Sequence, residues 1–172
     1  MDELRRIIRD VPDFPQKGVV FKDITPLLGH AASFRKAIDF MAEPLHSLEF
    51  DHFVGIESRG FIFASALAYQ LGKGNIPVRK PGKLPAETVQ VSYQLEYGSD
   101  TLEIHADAIR PGERIVIVDD VLATGGTARG VAELVEKVGG RVAGLSFFIE
   151  LDFLKGREKL AGYEIRSVLS YA

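Results

Sequence analysis

Two adjacent acids followed by a glycine-rich turn, Asp119-Asp120-Val121-Leu122-Ala123-Thr124-Gly125-Gly126-Thr127, carry the densest chemistry in the chain. Glycines let a backbone wrap closely around a ligand. The first amides of a helix opened by such a turn have no partner of their own, and the helix dipole favours an anion there. Thr124 and Thr127 add hydroxyl donors, so the turn reads as a phosphate cradle. Asp119 and Asp120 would repel a phosphate and suit the hydroxyls of a sugar. Carboxylates for a diol beside a cradle for a phosphate describe a ribose 5-phosphate site. The run is not a Walker loop, because no Gly-Lys-Ser/Thr follows the glycines. Nor is it a dinucleotide fingerprint, because it lacks G-x-G-x-x-G.

Cations capable of meeting an anionic ligand are local: Arg59 in a Ser58-Arg59-Gly60 turn, then Arg79, Lys80 and Lys83. The chain as a whole has a formal net charge of −3. A duplex-binding protein normally carries a basic excess, so these spots suit a small anionic ligand rather than a polymer. The 4 histidines show no metal-ligand spacing, and the absence of cysteine excludes disulfides, thiolate metal sites and cysteine nucleophiles.

The elements that must position these residues follow from periodicity. RIVIVDD, residues 114–120, is a β-branched strand ending in the acid pair, and residues 126–138 form a helix with Val131, Leu134, Val135 and Val138 inward. Strands are also expected at 52–56, 76–79, 142–149 and in YEIRSVLS near the end. Residues 61–71 read as a buried helix closed by Gly72. Leu4, Ile7 and Ile8 predict a short helix over residues 2–9. Ser33 is expected to cap a second helix running to about Leu48, with Pro44 shortening it. Strands alternating with helices imply an α/β fold, a mostly parallel sheet flanked by helices, with ligands at the carboxyl ends of its strands. Residues 81–99 show little periodicity and are expected to form a long lid-like loop. The 172 residues suit one domain, 1–172, free of repeats and linkers. No apolar stretch is long enough to span a membrane, and the charged N-terminus does not read as a signal peptide.

The segment from Ile115 to Thr127 closely resembles the 5-phosphoribosyl-1-pyrophosphate motif of type I phosphoribosyltransferases. Four further segments resemble the adenine-specific branch of that family, in its order along the chain. Phe14-Pro15 with Gly18 to Leu28 is similar to its base-binding hood, about residues 11–29. Gly55-Ile56-Glu57-Ser58-Arg59-Gly60-Phe61 is similar to its pyrophosphate loop. Arg79 to Pro85 and Tyr93 to Gly98 are similar to the two ends of its flexible catalytic loop, about residues 81–99.

The resemblance implies the type I phosphoribosyltransferase fold with a small N-terminal hood. It implies transfer of the phosphoribosyl group to adenine, giving AMP and pyrophosphate, in purine salvage. Ala123, Thr124, Gly125, Gly126 and Thr127 would hold the 5-phosphate, and Asp119 and Asp120 the ribose hydroxyls. Ser58, Arg59, Arg79 and Lys83 would receive pyrophosphate. Glu96 would serve the adenine N9 proton, with Tyr97 alongside. Backbone groups of Val20 and Lys22, with Phe21 near the ring, would read the base. Mg²⁺ would be held mainly by substrate oxygens and water, with no protein ligand set. Ala123 stands where 6-oxopurine enzymes usually have an acid, which argues against hypoxanthine and guanine. A ligand sensor built on this fold would lack the need for Arg59, Lys83 and Glu96. The family further implies a cytoplasmic homodimer acting on small molecules, without nucleic acid or membrane.

Overall fold

The computed structural model of the protein describes residues 1–94 and 99–172. Glu96 and Tyr97 lie outside the described residues. By its internal contacts the chain divides into two compact units, Met1–Phe40 and Met41–Ala172.

The first unit opens with α1 (Asp2–Ile7), one residue-pair shorter than the apolar spacing predicts, because Ile8 turns to extended backbone at φ −76° and ψ 129°. Strands β1 (Arg9–Pro12) and β2 (Val20–Asp23) pair antiparallel, with Pro12 opposite Val20 and Asp10 opposite Lys22. The connection turns through Asp13 and Gly18, both at positive φ, and the Asp13 carboxylate accepts from the Gly18 amide at 2.7 Å. A short helix, α2 (Thr25–Leu28), follows, and Leu4, Ile24 and Leu27 are buried. Helix α3 (Ala31–Ala42) begins before Ser33, so Ser33 is not its cap. The ring of His30 takes that role, with Nδ1 accepting the Ser33 amide at 3.3 Å. The helix closes at Ala42 and passes into a single 3-10 turn, Glu43–Leu45, at Pro44.

The second unit is built on β3 (His52–Ile56), α4 (Gly60–Leu71), β4 (Gly74–Val78), β5 (Thr88–Gln94), β6 (Ser99–His105), β7 (Arg114–Leu122), α5 (Gly126–Lys137), β8 (Arg141–Leu151), α6 (Gly156–Lys159) and β9 (Ile165–Tyr171). Five strands make one parallel sheet in the order β4-β3-β7-β8-β9. Alternation along each strand divides the core between its two faces. Val54, Ile56, Ile115, Ile117, Leu145 and Phe147 pack with Val131, Ala132, Leu134 and Val135 of α5. Out of phase with them, Phe148 stacks on Phe63 of α4, with ring centroids 5.4 Å apart. Both helices therefore have an apolar face for the same reason: each covers one side of a sheet that is buried on both.

The segment expected to be one irregular loop carries a strand of a β-ribbon. Strands β5 and β6 pair antiparallel from Thr88 opposite His105 to Gln94 opposite Ser99. The alternation was present in Val89, Val91 and Tyr93, but the prolines and glycine just upstream masked it. Those upstream residues are themselves tied down. Buried Glu103 accepts the amides of Lys83 and Leu84, each at 3.2 Å, the Thr88 hydroxyl at 3.3 Å and the Gln90 amide at 3.1 Å.

Phe148 is fully buried against Phe63. Truncation to alanine removes a large part of the α4-side core, so Phe148→Ala is expected to lower unfolding free energy by about 3–5 kcal/mol in urea titrations. A change below about 1 kcal/mol would mean that the site collapses without loss.

Candidate functional site

Because β3, β4 and β7 run parallel, their carboxyl ends share one edge of the sheet. The end of β3 leads into Glu57, Ser58 and Arg59, the end of β4 into Arg79 and Lys80, and the second half of β7 carries Asp119 and Asp120. A cavity of about 330 Å³ opens there, lined among others by Ser58, Arg59, Lys80, Asp119, Asp120 and Thr127. A smaller one of about 70 Å³ lies in the turn itself, lined by Asp119 and the run from Val121 to Ala128. Asp119 and Thr127 border both. The fold thus brings the acid pair, the Thr-Gly-Gly-Thr turn, Ser58 and Arg59 to one place, as their sequence pattern predicts.

Charges in the site are paired in advance. Asp120 is 4% exposed, and its Oδ2 lies 2.5 Å from Nε of Arg59. That contact is an ion pair without hydrogen-bond alignment, and Oδ2 has no other hydrogen-bond donor among the described residues. A buried carboxylate oxygen in that condition favours a further donor or cation. Beside it, the Asp120 amide donates to Asp119 Oδ1 at 2.9 Å. Burial, and next the neighbouring Asp120 charge, push the Asp119 carboxyl well above the usual carboxylate range. Lys80 Nζ sits 3.0 Å from Asp100, which raises the ammonium above its ordinary value. For Asp100 burial acts upward, but the Lys80 hydrogen bond and the Thr101 amide outweigh it and hold the carboxyl low. Tyr93 lines the same cavity as Thr127 and Asp100.

Close backbone approach explains the glycines. A Cβ at Gly60 would stand 2.7 Å from the Val118 carbonyl and 2.9 Å from Asp119 Oδ1, so only glycine lets the loop after β3 close on β7. Gly125 adopts φ 78° as it opens α5. Gly130, one turn on, gives its place to the Tyr93 ring, which a Cβ would meet at 2.8 Å.

Arg79 and Lys83 are placed differently from the rest. Neither lines the larger cavity among the described residues. The Arg79 guanidinium faces Glu57 at 3.3 Å and donates to the Lys83 carbonyl at 3.3 Å. Of the other residues that line the cavity, Lys80 stands in the sequence among the local cations without a role of its own, and Tyr93 and Asp100 are not singled out as site residues. Lys80 had a signal in its position just past a strand end; Tyr93 and Asp100 had none, because the ribbon carrying them was not foreseen. In the first unit, Val20 is 48% exposed, and Phe14 packs edge-on to Phe21 at 5.2 Å. Lys22 is ion-paired with Asp10 at 2.7 Å. Val20 and Lys22, two apart in a strand, turn their main-chain groups to the same side.

Residues 25–165 match the family model described as the phosphoribosyl transferase domain. The chain is 59% identical to an adenine phosphoribosyltransferase of Pseudothermotoga lettingae, over 98% of this chain and 99% of that one. A crystal structure of adenine phosphoribosyltransferase from Thermoanaerobacter pseudethanolicus superposes with a TM-score of 0.97 at 54% identity, covering 99% of both chains. The adenine phosphoribosyltransferase of Saccharomyces cerevisiae, solved with an imino-altritol bisphosphate and adenine, gives a TM-score of 0.91 at 42% identity, covering 97% of both chains.

The raised Asp119 carboxyl has a consequence for stability. An acid whose pKa is higher folded than unfolded contributes stability that is complete below the unfolded value and lost as pH rises through the folded one. Asp119→Asn removes that loss. In the ligand-free protein the variant is expected to gain thermal midpoint at neutral pH, with the gain shrinking toward zero near about pH 4. Calorimetric scans across that range check it; a gain that does not depend on pH would contradict the charge account.

Proposed function

Since the chain belongs to the type I phosphoribosyltransferase family, and within it to the adenine phosphoribosyltransferases, we propose how its residues divide the work of that reaction. Adenine and 5-phosphoribosyl-1-pyrophosphate give AMP and pyrophosphate, a step of purine salvage. The observation that carries the division of labour is the single cavity in which Ser58, Arg59 and Lys80 face Asp119, Asp120 and Thr127.

The 5-phosphate goes to the amides and hydroxyls of Ala123, Thr124, Gly125, Gly126 and Thr127, at the start of α5. The ribose 2- and 3-hydroxyls donate to Asp119 and Asp120. Pyrophosphate lies against Ser58 and Arg59, with Lys80 beside them. Arg79 and Lys83 are assigned to the same group by resemblance and reach it only by leaving Glu57 and their present places. As the bond from C1 to the pyrophosphate oxygen breaks, negative charge grows on the leaving group, and cations fixed beside it lower the barrier. Adenine N9 forms the new bond to C1 from the opposite side, and the sugar centre passes through an oxocarbenium-like state. The proton that N9 carries leaves to Glu96.

Among the described residues no three His, Cys, Asp or Glu side chains are grouped to hold a metal. The unaligned Asp120 Oδ2 and the Asp119 carboxyl suit a Mg²⁺ that takes most of its oxygens from substrate and water. When bound, Mg²⁺ supplies positive charge to the sugar hydroxyls and the pyrophosphate. Base recognition is assigned to Val20, Phe21 and Lys22. A backbone carbonyl accepting from the 6-amino group and an amide donating to N1 favour adenine, since a 6-oxopurine leaves both unpaired. No described helix is long and apolar enough to cross a membrane. A homodimer and a cytoplasmic setting are carried over from the family in the same way as the base contacts.

Pyrophosphate release, measured with Mg²⁺ and 5-phosphoribosyl-1-pyrophosphate, is expected with adenine and not with hypoxanthine, guanine or uracil. Release with a 6-oxopurine would overturn the assignment of Val20 and Lys22. In the same assay Glu96→Ala is expected to lower kcat by about 10²–10⁴-fold while binding of the sugar pyrophosphate changes far less. Unaltered turnover would remove Glu96 from the mechanism.

A further inference from the structure

Behind the phosphate cradle, where β8 ends, lies a polar cluster that borders neither cavity. The side chain of Glu150 is 6% exposed. It accepts from Arg157 Nε at 2.5 Å, Arg157 Nη2 at 2.7 Å and Ser167 Oγ at 2.6 Å. Arg157 also donates from Nη1 to the Ile165 carbonyl at 3.3 Å. A forked guanidinium–carboxylate pair fixes direction as well as distance. The start of α6 is therefore tied to β8 and β9 together. Leu160, fully buried in the core, secures its other end.

The residue before Arg157 is Gly156, and it has no room for a side chain. A Cβ there would run into the Ala123 carbonyl, with Leu122 Cδ1 at 2.9 Å and the Gly125 amide nitrogen at 3.1 Å. In return, a Cβ on Gly125 would strike the Gly156 carbonyl. The backbone at the head of α6 is thus the floor on which Ala123, Thr124 and Gly125 rest.

We propose that Glu150 and Arg157 are positioning residues for the anion cradle: by holding Gly156 against Ala123 and Gly125 they set where the cradle amides point, and so its affinity for the 5-phosphate. The inference rests on the cradle being the 5-phosphate site. Neither side chain touches the ligand; each acts through the backbone of α6. This gives Glu150 a reason to be buried and charged at the end of a core strand, where an apolar residue would serve packing as well.

Gly156→Ala is the most informative variant. Gly156 does not require left-handed backbone, and alanine favours helix over glycine, so the change disturbs mainly the contact with the cradle. Arg157→Lys keeps the charge and loses the fork. Calorimetric titration with ribose 5-phosphate, and KM and kcat for both substrates, separate the readings. For Gly156→Ala, the ribose 5-phosphate Kd and the KM for 5-phosphoribosyl-1-pyrophosphate are expected to rise on the order of tenfold, the factor for weakening one hydrogen bond to a charged group. The adenine KM should stay near its parent value, and Arg157→Lys should fall between parent and Gly156→Ala. Unchanged ribose 5-phosphate affinity in Gly156→Ala would overturn the inference. So would losses confined to thermal midpoint or kcat with the sugar-substrate KM intact, because the cluster would then support only the fold. Failure of the parent protein itself to bind ribose 5-phosphate would instead remove the phosphate-site reading on which the inference stands.

Discussion

Two neighbouring carboxylates, held at the end of β7 beside a turn made to bind an anion, set the terms for everything around them. Arg59 is ion-paired with Asp120 and draws the neighbouring Asp119 carboxyl downward only in part. Burial, and next the charge of Asp120, raise the Asp119 carboxyl, and Asp120 Oδ2 has no aligned donor among the described residues. Such a site is unfavourable while empty and is relieved by a ligand that brings hydroxyl donors, a cation, or both. In the proposed division of labour the phosphate goes a few residues further along the same chain, where amides rather than carboxylates face it.

The surrounding structure serves this separation of charge. Gly60 allows the loop after β3 to press against Val118 and Asp119, which brings Arg59 to Asp120. Lys80 is held by Asp100, and Arg79 by Glu57, so these two cations, like Arg59, have carboxylate partners already. On the proposed assignment a polyanionic substrate exchanges with internal acids instead of entering an open positive field. Affinity then depends on differences between pairs rather than on the number of cations.

Much of this was legible in the sequence. The strand and turn from Ile115 to Thr127 could be read because a β-branched run, two acids and a glycine turn each report local physics that tertiary contacts do not overrule. The same holds for β3, α4 and the glycine at 72, which takes the left-handed conformation expected of it. What escaped was non-local. The ribbon of β5 and β6 depends on pairing across a turn and on Glu103, whose partners lie well before it in the chain. Tyr93 and Asp100 reach the cavity only because that ribbon exists. Ser33 suits a cap by type, yet His30 stands where the helix starts. Nothing in the residues around Gly156 announces its contact with Ala123, which lies far from it in the chain.

The most direct test of the charge account is the proton balance of ligand binding. Binding of 5-phosphoribosyl-1-pyrophosphate with Mg²⁺ can be titrated calorimetrically at mildly acidic pH in buffers of different ionisation enthalpy, for the parent protein and for Asp119→Asn. Protons lost by the ligand itself are common to both and cancel. If Asp119 holds a proton in the empty site and gives it up when the sugar and metal arrive, the parent releases more protons than the variant. An identical proton balance in the two proteins would show that Asp119 is already ionised before binding, and the view of an empty site burdened by its own carboxylates would be wrong.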